Sequence, residues 1–258
     1  MMLFTTLCLL AIVALVAGFI DAIAGGGGLL ALPSLLLAGL DPISALATNK
    51  LQGSFGTGSA VIAFWRKGHI DIKQNIPAMI ATFIAACCGV LTINYAPKNL
   101  LVIVLPILLI LIAIYFAFSP NLTNQSKKQR ISSAAFAFGV APALGFYDGI
   151  FGPGTGSFYM LALVTLIGLG LMQATAKTKL LNFTSNMAAL LVFAFSGKIY
   201  IMVGLVMGIC QFIGAQLGSR FAMKHGAKII RPLLVVVCCA MAVKLLLDPS
   251  NPLRVFFP

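Results

Sequence analysis

The sequence predicts an all-α polytopic membrane protein made of two inverted repeats. Three observations carry the prediction. First, 60% of the 258 residues are hydrophobic and only 9% are charged, against about 45–50% and 25% in soluble domains. With a mean hydropathy of +1.07, the chain has too little polar surface to cover a water-exposed globule. Second, a motif occurs twice at an offset of 127: Gly18-Phe19-Ile20-Asp21, running on to Gly25, Gly26, Gly27 and Gly28, and Gly145-Phe146-Tyr147-Asp148, running on to Gly152 and Gly154. Third, the five acidic residues are all Asp. Two of them, Asp21 and Asp148, fall inside apolar runs at matching places in that motif.

Taken in order, residues 3–24 form a full-length apolar segment that ends at the glycines 25–28. A short segment at 29–40 contains Pro33, and a polar connector spans 41–50. Residues 51–65 are a second short segment, closed by the basic loop that starts at Arg66. Long spans are predicted at 75–95 and 99–118, separated by Pro97-Lys98. Residues 120–130, rich in Lys and Arg, read as a linker. The order then repeats: a long span at 131–151, a glycine break at 152–156, short segments at 157–171 and 180–196 around a connector at 173–179, and long spans at 199–222 and 230–247. The domains are therefore a first repeat at 1–119, a linker at 120–130 and a second repeat at 131–258, with 8–10 membrane segments in all.

Beyond the first motif the repeat continues at an offset of 129. Ala47, Lys50, Leu51, Phe64 and Gly89 meet Ala176, Lys179, Leu180, Phe193 and Gly218. Each half thus reads as three long spans plus two short, broken or re-entrant helices. Crossing five times or three, a half crosses an odd number of times, so the second half is inverted. The basic residues agree. With the N-terminus outside, Arg66, Lys67, Lys73, Lys127, Lys128, Arg130, Arg220, Lys224, Lys228 and Arg231 are cytoplasmic, and only Lys98, Lys198, Lys244 and Arg254 are outside. That is the positive-inside bias.

Inverted repeats with paired broken helices are the architecture of secondary transporters, whose site lies where the half-helix ends meet. Freed helix N-termini suit anions. The glycine clusters supply the breaks, with close helix packing through small residues as the structural alternative. In the re-entrant reading Lys50 and Lys179 stand at hairpin tips and attract an anion or pair with the aspartates. The alternative places them in ordinary loops. Asn49 and Gln52 in the first half, and Asn182 and Asn186 in the second, offer neutral hydrogen bonds to oxyanion oxygens. Asp21 and Asp148 either couple transport to a proton or cation, or cap the broken helices.

Other functions are disfavoured. The net charge of +12 is spread over short connectors, as lipid topology requires, and does not form a nucleic-acid surface. The six cysteines lie in apolar runs without zinc-site spacing, so no metal or cofactor is expected. Gly170–Thr178 lacks the glycines of a phosphate loop at 171 and 176. No nucleophile or metal constellation supports an enzyme. The first segment shares a motif with the chain interior and is read as an uncleaved span, not a leader. The outer faces carry no dimer signal, and a homo-oligomer is left open.

The motifs GFIDAIAGGGGLLALPSLL at 18–36, Ala-Thr-Asn-Lys at 47–50, GFYDGIFGPGTGSF at 145–158 and Thr-Lys-Leu-Leu-Asn-Phe-Thr-Ser-Asn at 178–186 resemble the TauE/SafE family, also called the 4-toluene sulfonate uptake permease family, of bacterial membrane transporters. The resemblance covers nearly the whole chain. It implies a proton-linked carrier of sulfite, sulfonates or related organic anions in the bacterial inner membrane. Its motif positions are Asp21, the glycines 25–28, Asn49, Lys50, Asp148, Gly152, Gly154, Lys179 and Asn182. Pro153 and Thr155 replace two glycines of the first cluster, so the two breaks need not be equivalent. The competing readings are a passive anion channel and an accessory membrane subunit without transport.

Overall fold

The computed structural model describes residues 4–93 and 128–225, with single positions among 107–126 and 232–243. The spans predicted at 99–118 and 230–247 and most of the linker lie outside the described residues. All regular structure among the described residues is helical.

Helix α1 (Phe4–Ala24) is an apolar run with no proline. It stops at Gly25, whose φ of +82° is open to glycine and strained for other residues. The short α2 (Gly27–Leu37) follows, and the chain turns at Gly39, φ +91°. In α3 (Pro42–Arg66), Asp41 is the N-cap: its carboxylate accepts the Ser44 N–H at 3.2 Å, with Pro42 at the first helical position. α4 (Ile72–Ile93) completes the described part of the first half. α5 (133–150) is capped by Ser132, which accepts the Ala135 N–H at 3.1 Å. It widens into a π turn at Phe136–Val140 before continuing as Ala141–Ile150. That wide turn precedes Pro142, whose ring would meet a carbonyl four residues back at normal pitch. α6 (Thr155–Ile167), α7 (Leu171–Ala194) and α8 (Ile201–His225) follow.

The Asp41 cap gives a simple prediction. Asp41→Ala should lower stability by about 1 kcal/mol, and Asp41→Asn by less, read from thermal unfolding in detergent. Ser44 holds the Asp41 carboxyl below its ordinary value of 3.8, against the opposing effect of partial burial. A depressed folded-state value means that this stabilisation is complete above 3.8 and is lost as the pH falls through the lower folded value.

The distribution of polarity is inside out. α1 exposes Leu9, Ile12 and Val16, and α4 exposes Ile76, Ile80 and Ile84, at helical spacing. Buried inside are Thr48, Lys50, Gln52, Ser59, Ser157 and Lys179, each 0% exposed. α1, α4 and α8 are long and apolar enough to cross a membrane. α3 and α7 are as long, at 25 and 24 residues, but carry the polar side chains and pack against each other and against α8 and α4.

This corrects two readings of the sequence. Residues 41–50 and 173–179 are not connectors, and 51–65 and 180–196 are not separate short segments: each pair is one long helix. Lys50 and Lys179 therefore stand at neither hairpin tips nor ordinary loops. Each is the ninth residue of its helix. Among the described residues each half has one short helix instead of two, so the odd-count argument turns on whether α2 and α6 cross. Several of the polar side chains that lowered the hydropathy are satisfied within the helix. Ser54 donates to the Lys50 carbonyl at 2.8 Å, Thr57 to Gly53 at 2.7 Å and Thr184 to Leu180 at 2.9 Å.

The helices meet in matched pairs. α1 packs on α8, and α5 packs on α4. Glycine permits the close approach: a Cβ on Gly18 would strike the Gln211 carbonyl, and one on Gly145 would lie 2.7 Å from that of Thr82. Gly89 abuts the Phe146 carbonyl as Gly218 abuts that of Phe19. These pairs are the same positions related by the offsets of 127 and 129.

Candidate functional site

Each aspartate of the repeated motif reaches the start of the short helix that follows it. Asp21, near the end of α1, accepts the Gly27 N–H at 3.0 Å at the start of α2. Asp148, near the end of α5, has Oδ1 2.8 Å from the Thr155 hydroxyl at the start of α6. That hydroxyl is also 2.7 Å from the Gly152 carbonyl, and its one proton serves either acceptor. A carboxylate placed at a helix start is favoured by the dipole as well.

The other carboxylate oxygens face lysines of the opposite half. Lys50 Nζ lies 2.8 Å from Asp148 Oδ2, an ion pair by distance whose angles depart from those of a hydrogen bond. Lys179 Nζ lies 3.2 Å from Asp21 Oδ2 and also donates to the Asp21 backbone carbonyl. Both ammonium groups are fully buried. The pairs thus cross: the lysine of each half meets the aspartate of the other. Buried charges are costly unless paired in this way.

The two breaks touch. A Cβ on Gly25 would lie 2.5 Å from the backbone of Gly156, and Ser157 donates to the Ala24 carbonyl at 3.2 Å. Gly152 repeats the left-handed conformation of Gly25, with φ +84°, and a Cβ there would lie 3.1 Å from Lys50 Nζ. Beside this junction is a cavity of about 20 Å³, room for a water molecule. The first half lines it with Asp21, Gly25, Gly28, Asn49 and Lys50, together with Gly53 and Thr57. The second half contributes Asp148, Gly152, Gly154, Asn182 and Asn186, together with Gly156 and Gln211.

Ten of the residues singled out from sequence thus line one cavity. Four do not. Gly27 caps onto Asp21, Lys179 holds Asp21 from behind, Gln52 donates to Asn49 Oδ1 at 2.8 Å, and Gly26 forms the half-turn before α2. Gln211 was missed. It is one of two carboxamides, with Gln216, within an apolar helix, and its only signal was a polar residue in a span that lipid alone would not favour. Chemically the site is a neutral set of two cations and two anions around amide groups and exposed backbone. Among the described residues no group of three His, Cys or Asp side chains is placed to hold a metal ion.

Comparison with known proteins gives a consistent family. The family model described as "Sulfite exporter TauE/SafE" matches residues 10–245. The chain is 49% identical over 253 residues to "Probable membrane transporter protein ORF9" of Sinorhizobium sp, covering 98% of this chain and 97% of the relative. It is 46% identical to "Probable membrane transporter protein YfcA" of Escherichia coli K12, covering 92% of this chain and 88% of the relative. A "Probable membrane transporter protein" of Haemophilus influenzae is 43% identical, covering 94% and 95%. No solved structure matches the chain at a significant level.

Proposed function

Because the chain belongs to the sulfite exporter TauE/SafE family of membrane transporters, we propose that it is a secondary transporter moving a small anion, such as sulfite or a sulfonate, across the bacterial inner membrane with a coupled proton. It acts without covalent chemistry. What carries the reading is the exchange of ion pairs, Lys50 with Asp148 and Lys179 with Asp21, around the meeting point of two helix breaks.

The two halves, 1–119 and 131–258 with the linker 120–130 between them, are related by a pseudo-two-fold lying in the membrane plane. Support comes from the reciprocal glycine contacts, from the ninth-residue lysines and from the ten-to-four charge split. An anion reaching this site competes with a carboxylate for its lysine. Two lysines and two aspartates sum to zero, so an added anion leaves the buried site negative. Protonation of Asp21 or Asp148 restores neutrality, which links anion binding to proton uptake. Asn49, Lys50, Asn182 and Asn186 hold the anion with the backbone at Gly25, Gly28, Gly152 and Gly154, while Lys179, Gln52, Gly26 and Gly27 hold the frame. In this reading the 20 Å³ cavity widens to admit the anion and opens to one side at a time.

The test is flux of labelled sulfite or sulfonate into proteoliposomes under an imposed pH gradient. Accumulation above equilibrium that collapses with a protonophore is expected. Downhill flux alone would assign a passive channel, and no flux an accessory subunit. Asp148→Asn alone strands a buried lysine, so coupling is tested with Asp148→Asn combined with Lys50→Gln. Gradient-driven accumulation should fall at least about tenfold in that variant. Full accumulation would remove the aspartate from the coupling step.

A further inference from the structure

We infer that Gln211 determines specificity, and that the substrate anion carries a hydrogen-bond donor, such as a hydroxyl or an amine, close to its charge. This rests on the anion-transport reading above. Gln211 lies on α8, is 3% exposed and lines the cavity. Its carboxamide oxygen is buried without a hydrogen-bond partner. A buried acceptor left unpaired costs stability and is rare in a folded protein unless something else pairs with it.

The side chain is held there. A Cβ on Gly56 would lie 2.6 Å from Gln211 Cγ and 2.7 Å from its Nε2, so the glycine on α3 forms a close wall beside it. Turning the carboxamide over exchanges oxygen for nitrogen, but the group carries one acceptor and one donor either way. Other acceptors beside it are already committed. The aspartates face the lysines, and the Asn49 oxygen accepts from Gln52, leaving its amide nitrogen as a donor. A bare oxyanion offers acceptors only and leaves the Gln211 oxygen unpaired. An anion with a donor satisfies both ends of the carboxamide. The matching position of the first half is Thr82, which does not line the cavity, so this recognition sits on one side of the pseudo-two-fold only.

The experiment compares isosteric anions that differ by a hydroxyl in place of a methyl: 2-hydroxyethanesulfonate against propane-1-sulfonate, and glycolate against propionate. Binding is measured by calorimetry on the full chain in detergent. The wild type should prefer the hydroxyl member of a pair by at least about tenfold. Gln211→Met should abolish that preference, bringing the two members of each pair to equal affinity even if both weaken with loss of the amide N–H. Gln211→Asn, which keeps the amide but withdraws it by one methylene, should reduce it and serves as a second variant if the first does not fold. Equal binding of both members to the wild type would overturn the inference, as would a preference that survives either substitution. Equal binding would mean that water alone satisfies Gln211. If no anion binds the wild type, the transport reading falls and this inference falls with it.

Discussion

Lys50→Met is expected to lower the stability of the solubilised protein by about 3–5 kcal/mol, the cost of leaving a buried ion without its partner. Asp148 would then keep only the Thr155 hydroxyl, at 1% exposure. Asp148→Leu should cost a similar amount from the other side, because Lys50 is fully buried. The double variant Lys50→Met with Asp148→Leu should cost far less than the sum, since apolar residues of similar volume replace buried ion pairs with little loss. Chemical unfolding of the four proteins closes the cycle. If each single change costs less than about 1 kcal/mol, the pair is solvated like a surface bridge, and the exchange of charges cannot hold the halves together. Transport separates this role from the packing role: the double variant should fold and yet fail to accumulate anion.

The second large effect is expected at Gly25. Alanine there meets two separate penalties. Its φ of +82° costs an L residue about 1–2 kcal/mol, and its Cβ falls 2.5 Å from the Gly156 carbonyl carbon and 2.8 Å from Ser157 N. Neither neighbour is a side chain that can swing away, so the breaks must separate, adding about 1–3 kcal/mol. Gly39→Ala is the matched control: its φ is +91°, but nothing lies within 4 Å of the added carbon. Gly25→Ala should therefore unfold at a clearly lower temperature than Gly39→Ala and lose transport, while Gly39→Ala keeps it. Equal melting of the two would mean that the breaks do not meet.

Much of the site was legible because duplication marks it. Asp21 and Asp148, the glycines at 25 and 152, and Lys50 and Lys179 recur at fixed offsets, and no single-copy argument would have isolated them. The error lay in the helices that carry the lysines. Thr48, Asn49, Lys50, Gln52, Ser54 and Thr57 lower the local hydropathy, and a hydropathy pattern scores transfer into lipid. α3 and α7 pack against other helices, so many of their polar groups bond to each other, to backbone carbonyls or to aspartates of other helices while the chain stays helical. Gln211 escaped for the converse reason. Two amides, Gln211 and Gln216, do not change the apolar average of a 25-residue helix.

Composition, the doubled motif and the scatter of basic residues by themselves determined that this is a helical membrane protein with a polar centre, because lipid tolerates only satisfied backbone and punishes stray charge. Which lysine faces which aspartate was decided by tertiary structure alone. Partners 98 and 158 residues apart are joined only when α3 reaches α5 and α7 reaches α1, and nothing in either helix's own sequence records that crossing.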